Sequence, residues 1–268
     1  MSDPTSVDRL QLGDHVCWTF DDDEKRLEAT ARFVTAGLRA GQRVLCVTDA
    51  LLPVALLGAL HARGVPVQRA LDTGALRASA ATEAGDGLTD ILVNEIVSAG
   101  ADGHGGLRVV DDMTWALDFD HLTHFETRVG RLLLDGGAAL LCQYDRRRFG
   151  RDRLRQVSAV HPATAATIHD AGWEPMLRLY RTVDPPGLRL VGEVDVSNRG
   201  ALADALDAFV DGPAPATIDL SGLTFIDASG AGLLARAARS APERIGVVGA
   251  SSLVRRVLSL VGAEDLMP

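Results

Sequence analysis

The chain has 268 residues, 47% of them hydrophobic and 24% charged, which is the balance of a globular protein with room for about two domains. Its formal net charge of −9 argues against a nucleic-acid partner, because an acidic surface repels a phosphate backbone. No apolar run is long enough for a transmembrane helix, and the acidic first residues do not form a signal peptide, so we expect a cytoplasmic protein without membrane contact. The three cysteines are widely spaced and lack a CxxC pair, which argues against a disulfide framework.

Strand-like and helix-like runs alternate along the first part of the chain. The strand-like runs are short and mostly apolar, and they lie at 15–20, 43–49, 107–115, 138–145 and 177–184. Helical periodicity lies between them, at 21–41, 51–64, 88–100 and 118–137, whereas 67–79 fits two short strands. Strands joined by helices favour a parallel sheet, and the lack of polar alternation indicates helices on both faces.

The segment VDPPG at 183–187 is the best candidate for a domain boundary. Its two prolines disfavour both a helix and a central strand, and a glycine follows them. We therefore predict one domain at 1–183 and a second, smaller domain at 184–268.

The second part has the pattern of a small α/β unit. Strands are predicted at 187–197, 216–227 and 245–250, and helices at 198–212, at 228–241 and after a cap at Ser251. The stretch IDLSGLTFIDASGAG at 218–232 places Ser229 at the start of the middle helix. Serine is a favoured N-cap, so Ser229 is either an ordinary cap or a site at which a hydroxyl is modified.

Three segments of this part resemble the STAS domain of anti-sigma factor antagonists. They are GEVD at 192–195, IDLSGLTFIDASGAG, and SSLVRRVLSLVGAEDLM at the end of the chain. The resemblance implies that Ser229 is the phosphorylated serine and that Asp195, Asp227, Ser229 and Gly230 belong to the surface that binds the partner. Ala228 stands where the family often has another serine, so one hydroxyl is left here.

The implied partner is an anti-sigma factor that is itself an ATP-using serine kinase. A phosphate at a helix start is favoured by the helix dipole and the free N–H groups. It would also add about −1.5 to −2 charges beside Asp227. Phosphorylation would then abolish docking while leaving the fold intact.

The first part resembles RecA/KaiC-like ATPases around RFVTAGLRAGQRVLCVTD at 32–49. The glycine-rich phosphate loop of those enzymes is replaced by TFDDDEKRLEAT, which contains no glycine. The wider pattern of GDHVCWTFDDDEK, LRVVDDMTWAL, HFETRVGRLL, LLCQYDRRRF and HPAT resembles the MEDS sensory domain. The fold class predicted for the whole chain is therefore α/β, with a RecA/KaiC-like parallel-sheet domain that lacks a P-loop and a small STAS domain after it.

The MEDS resemblance implies a sensory domain that binds a small molecule. Ligands of parallel sheets bind at the carboxyl ends of the strands, which adds strand-end residues to those in the matching motifs. The candidate ligand-binding residues are His15, Cys17, Trp18, Asp112, Trp115, Glu126, Cys142, Tyr144 and His161. Histidine and cysteine suit zinc, so a site of His15, Cys17, Cys142 and His161 is conceivable, but the spacings do not demand it and neither a metal nor a cofactor is predicted.

Taken together, the sequence predicts a signalling regulator rather than an enzyme. Its second domain would capture an anti-sigma kinase, under control of phosphorylation at Ser229, and its first domain would sense a ligand. Two alternatives stay open: a scaffold that does not switch, in which Ser229 only caps a helix, and a nucleotide-using enzyme. A homodimer is also left open.

Overall fold

The computed structural model describes residues 6–81, 87–165, 173–212 and 215–266. Within them the chain forms two sheets, and helices follow most of the strands. The predicted α/β class is confirmed: a six-stranded parallel sheet precedes a small second sheet with its own helices. None of the described helices has the length and apolar character needed to cross a membrane.

The first sheet contains six parallel strands in the order β3-β2-β4-β5-β1-β6. The strands are β1 (His15–Phe20), β2 (Arg43–Thr48), β3 (Leu76–Ala80), β4 (Leu107–Asp112), β5 (Ala138–Asp145) and β6 (Ala163–Ala165). The helices are α1 (Asp23–Arg39), α2 (Pro53–Ala62), α3 (Val67–Asp72), α4 (Leu88–Ala101), α5 (Leu122–Leu133) and α6 (Arg151–Ala159).

Both faces of this sheet are covered, as the apolar strands predict. Val16, Trp18 and Phe20 of β1 belong to the core on one face, whereas Cys17 belongs to the core on the other, because successive side chains of a strand point to opposite faces. β1 and β5 lie next to each other in the interior of the sheet, and Cys17 is paired with Cys142.

The second sheet has the strand order β10-β9-β8-β7. Its elements are β7 (Leu177–Val183), β8 (Pro186–Val194), α7 (Arg199–Val210), β9 (Ala216–Ile226), α8 (Ala228–Ser240), β10 (Ile245–Val248) and α9 (Ser252–Leu260). β7 is antiparallel to β8, and the remaining pairs are parallel. Ile218, Leu220 and Leu223 of β9 are buried in one core with the apolar faces of the helices.

Two local predictions are wrong. The strand at Leu177–Val183, which was assigned to the first sheet, pairs with β8 in the second. The segment predicted as two short strands forms helix α3 and strand β3 instead. Of the two roles left open for Ser229, the cap is taken by Asp227, which caps helix α8.

Several contacts join the two parts of the chain. Arg178 of β7 forms an ion pair with Asp14, with Nε and Oδ1 2.7 Å apart. The hydroxyl of Thr127 on α5 donates to Asp204 on α7 over 2.8 Å. Leu134, which follows α5, is buried in the core of the second sheet. The face of the first domain that carries α5 therefore packs directly against α7.

Candidate functional site

Ser229 is exposed in the first turn of α8, where it is the second helical residue. The cap is provided by Asp227, whose Oδ1 accepts a 2.7 Å hydrogen bond from the backbone N–H of Gly230. The Ser229 hydroxyl is therefore not needed to hold the start of the helix, and it faces solvent, where an enzyme can reach it.

An arginine contacts the hydroxyl. Arg199, the first residue of α7, places Nη1 3.4 Å from Ser229 Oγ. A groove of about 440 Å³ runs between α7 and α8, and it is lined by Arg199, Ser229 and Arg236 among others. A phosphate on Ser229 would thus meet the Arg199 guanidinium as well as the positive end of a helix dipole. Arg199 was not predicted, because it lies thirty residues before Ser229 and nothing in its local sequence marks it as a neighbour.

Asp195 and Asp227 lie side by side, because they follow the paired ends of β8 and β9. The backbone N–H of Asp227 donates to Val194 O over 3.0 Å, and Asp195 Oδ1 accepts bonds from Ser197 N and Oγ at 2.8 and 2.6 Å. Val196 beside them is an exposed apolar side chain at 65%. The structure thus brings two predicted acids and an apolar residue to one edge, close to Ser229.

Gly230 has a packing role. It is buried, and a Cβ at this position would lie 2.6 Å from Val194 Cγ1 and 2.9 Å from Ile226 Cγ1. Only a glycine lets the first turn of α8 sit this close to the ends of β8 and β9. Its predicted contact with a partner stays a prediction.

In the first domain, the start of α1 is closed by its own acids. Asp22 Oδ1 accepts from Glu24 N and Lys25 N at 2.9 and 3.1 Å. These are the N–H groups that hold phosphate in proteins with a phosphate loop. The hydrogen bond from Lys25 holds the pKa of Asp22 below its ordinary value, so the carboxylate stays charged and would repel a nucleotide.

Five of the candidate ligand-binding residues meet in one buried cluster. His15 begins β1, Cys142 and Tyr144 lie on β5, Glu126 lies on α5, and His161 follows α6. The cluster sits on the sheet face that α5 and α6 cover, and its side chains are almost wholly buried. It therefore lies against one face of the sheet. A pocket was expected instead at the carboxyl ends of the strands.

The centre of the cluster is the Glu126 carboxylate. Oε2 lies 3.1 Å from His15 Nε2, 3.4 Å from His161 Nε2 and 3.6 Å from Cys142 Sγ. Oε1 accepts a hydrogen bond from the Tyr144 hydroxyl. One ligand atom from each of His15, Glu126, Cys142 and His161 lies within 4.8 Å of the others, which is the spacing of a metal-binding group.

Burial sets the protonation of this cluster. Burial, followed by the neighbouring His161, lowers the pKa of His15 to about 4, although Glu126 acts in the opposite direction. Burial and the negative charge of Glu126 raise the pKa values of Cys142 and Tyr144 well above their ordinary values. Burial alone would raise the pKa of Glu126, but His161 and His15 hold it below its ordinary value.

The other candidates are not among the grouped ligands. Cys17 shares its sheet face, but Cys17 Sγ lies 3.7 Å from Ser158 Oγ and is not among the four grouped ligands. Trp18 packs in the core on the opposite face. Asp112 accepts hydrogen bonds from Arg26 Nη1 at 3.1 Å and from the backbone N–H of Thr114, so it caps the turn after β4. Trp115 Nε1 donates to Asp111 Oδ1 over 3.2 Å.

Comparison with known proteins gives two family matches. Residues 14–162 match the model of the MEDS domain, described as the methanogen/methylotroph, DcmR sensory domain. Residues 177–268 match a STAS domain model of the Mlab type. The order of the two matches is the order predicted from the sequence. No curated protein matches the chain at a significant level.

One solved structure to which the chain is similar is that of the flagellar accessory protein FlaH from Methanocaldococcus jannaschii. The two chains are 10% identical, and the TM-score is 0.44 over 72% of this chain and 82% of that chain.

Proposed function

Because the chain belongs to the MEDS sensory-domain family and carries a STAS domain after it, we propose that it is an anti-sigma factor antagonist that works by partner switching. The matched domains are a sensory type and a regulatory type. In this proposal the STAS domain binds an anti-sigma kinase, and the MEDS domain senses a ligand. The protein itself performs no catalysis.

One observation carries the proposal: the Ser229 hydroxyl is exposed in the first turn of α8, and Asp227 caps that helix in its place. Because Asp227 provides the cap, a change at the Ser229 oxygen does not remove a hydrogen bond that holds the helix start. Here the kinase can transfer the γ-phosphoryl group of ATP to Oγ, releasing ADP and the hydroxyl proton, without breaking the helix start.

The switch acts through charge on a surface that stays folded. The unphosphorylated edge presents Asp195, Asp227 and the exposed Val196 to the partner. Phosphorylation adds about −1.5 to −2 charges there and draws Arg199 toward the phosphate. Both effects change the charge of the surface that would bind the partner. The helix itself stays stable, because its dipole favours a negative charge at its first turn.

The test is calorimetric binding of the purified full-length chain to its cognate anti-sigma kinase. Ser229→Ala should bind like the wild type, whereas Ser229→Asp should bind at least about tenfold more weakly, which corresponds to about 1.4 kcal/mol. Ser252→Asp is the matched control, because Ser252 is also an exposed serine in the first turn of a helix of the same domain.

Incubation with the kinase and ATP should add one phosphate to the wild type and none to Ser229→Ala, as measured by mass spectrometry. Equal affinities for all three variants together with phosphate incorporation elsewhere would contradict the proposal and favour a scaffold that does not switch.

A further inference from the structure

The buried cluster of the first domain has the donor set of a metal site. His15, Glu126, Cys142 and His161 supply two imidazole nitrogens, a carboxylate oxygen and a sulfur. These are the donor types that bind zinc in proteins. The four residues come from four different elements, so the fold brings them together without any short sequence motif.

The distances agree with tetrahedral coordination. Zinc bonds of about 2.0 Å to nitrogen and oxygen and about 2.3 Å to sulfur, at tetrahedral angles, place N and O about 3.3 Å apart and sulfur about 3.5 Å from either. Glu126 Oε2 lies 3.1 and 3.4 Å from the two Nε2 atoms. Cys142 Sγ lies 3.5 Å from His15 Nε2 and 3.6 Å from Glu126 Oε2. Four edges of the tetrahedron therefore match a zinc site before any ion is added.

The orientation of His161 is the second, independent observation. Its Nδ1 lies 2.7 Å from Val157 O. A carbonyl oxygen can only accept, so Nδ1 carries the hydrogen and the lone pair of the neutral ring is on Nε2. That atom is buried without a hydrogen-bond partner among the described residues. It faces the Glu126 carboxylate over 3.4 Å, so this contact requires either a metal ion bound to both groups or a second proton on the His161 ring.

The surroundings hold the ligands in place. The Tyr144 hydroxyl donates to Glu126 Oε1, which directs Oε2 toward the histidines and Cys142. The bond from His161 to Val157 O fixes the imidazole in the same way, and such supporting hydrogen bonds are usual around bound metals. His15 Nδ1 faces Gly130, beside a cavity of about 20 Å³ that would accommodate one water molecule.

A purely hydrogen-bonded cluster explains less. In that arrangement His15 donates to Glu126, Glu126 accepts from Tyr144, and Cys142 remains a thiol. The His161 ring then needs a second proton to donate to Glu126, which places an imidazolium between side chains that are wholly buried. A divalent cation satisfies all four ligand atoms, and its charge balances one carboxylate and one thiolate, as a buried group of charges requires.

We propose that His15, Glu126, Cys142 and His161 bind a divalent transition-metal ion, with Zn²⁺ as the preferred occupant. Four protein ligands leave no open coordination position, which is typical of structural rather than catalytic zinc sites. The ion would lock α5 and the segment after α6 onto strands β1 and β5. This proposal does not depend on the role of Ser229.

The first test is the metal content of the purified full-length protein. We expect about one equivalent of zinc per chain, measured by inductively coupled plasma mass spectrometry. One equivalent of another divalent transition metal would support the site and change only the choice of ion. The second test replaces the ion with Co²⁺, which should give the visible bands of tetrahedral cobalt and a thiolate-to-cobalt charge-transfer band.

Variants assign the bands to the cluster. Cys142→Ser should abolish the charge-transfer band, and Glu126→Gln and His161→Gln should each reduce bound metal at least tenfold. Cys46→Ser is the matched control, because Cys46 is also a buried cysteine of the same sheet but lies outside the cluster. Circular dichroism identifies variants that are folded.

The proposal is overturned if folded wild-type protein carries no transition metal and gives no charge-transfer band with Co²⁺. It is also overturned if Cys46→Ser removes the band while Cys142→Ser retains it.

Discussion

Asp227 caps helix α8, so the Ser229 hydroxyl is not needed as the cap. The carboxylate bonds to Gly230 N, so it closes the helix start two residues before the serine. The sequence DAS offers two good caps at positions 227 and 229, and propensity alone does not choose between them. The structure chooses Asp227 because its backbone is extended, with φ −81° and ψ 171°, whereas Ser229 is already helical.

At the residue scale, the cap predicts a stability change that is separate from partner binding. Asp227→Ala should lower the free energy of unfolding by about 1 kcal/mol, because Gly230 N loses its acceptor. Asp227→Asn should keep most of that stability, since the amide oxygen can still accept. Urea unfolding followed by circular dichroism measures both.

If Asp227 also contacts the partner, Asp227→Asn should weaken binding to the anti-sigma kinase without loss of stability. An Asp227→Ala protein as stable as the wild type would show that the hydrogen bond to Gly230 does not hold the helix start.

The residue-scale part of the candidate site was predictable only in part. The MEDS resemblance placed His15, Glu126, Cys142 and His161 among the ligand residues, and the structure brings them together. The metal set considered from sequence contained Cys17 in place of Glu126. Cys17 and Cys142 are paired across neighbouring strands. The sequence does not show that α5 places the Glu126 carboxylate within contact of both histidines.

At the element scale, the segment VDPPG shows how one signal fits two structures. Two prolines and a glycine are expected both in a domain linker and in a tight connection between strands. Here β7 and β8 pair up to Val183 and Pro186, so the segment turns the chain within one sheet. Pro186 is tolerated because it is the first residue of its strand. The sequence showed the interruption, but it did not show which sheet β7 joins.

Helix α3 was missed for a related reason. Its six residues, VQRALD, are too short to show helical periodicity, and Val67 and Ala70 are buried at a spacing of three. Gly74 then adopts a φ of 69°, which ends the segment before β3 begins. The long strands and helices, by contrast, were predicted in the right order, because their apolar patterns extend over many residues.

The pairing of β7 predicts how fragments of the second domain behave. A fragment of residues 184–268 lacks β7, which leaves β8 as an unpaired edge and removes the buried side chains of Leu177 and Leu179. It should be less stable than residues 173–268 by about 3 kcal/mol or more, and it should associate through its free edge. Thermal unfolding and size-exclusion chromatography compare the two fragments, and equal melting temperatures with equal elution as monomers would contradict this role of β7.

At the scale of the whole molecule, helix α5 connects the two candidate sites. It carries Glu126 of the buried cluster, and the next residue, Thr127, donates to Asp204 on α7. Helix α7 begins with Arg199, which contacts Ser229. A shift of α5 against its sheet would therefore displace α7 and the surroundings of Ser229. No sequence pattern predicts this route, because each contact joins residues distant along the chain.

The contact between Thr127 and Asp204 should be energetically coupled. Thr127→Val and Asp204→Ala should each increase amide hydrogen exchange in α7, and the double-mutant cycle should give a coupling of about 1 kcal/mol. Thr35→Val on α1 is the matched control, since Thr35 is a partly buried helical threonine remote from α7, and it should leave exchange in α7 unchanged. Because α7 carries Arg199, Thr127→Val should also change the rate of the phosphorylation proposed for Ser229. Additive single-mutant effects, or a phosphorylation rate that neither variant alters, would show that the two domains fold side by side without influencing each other through this contact.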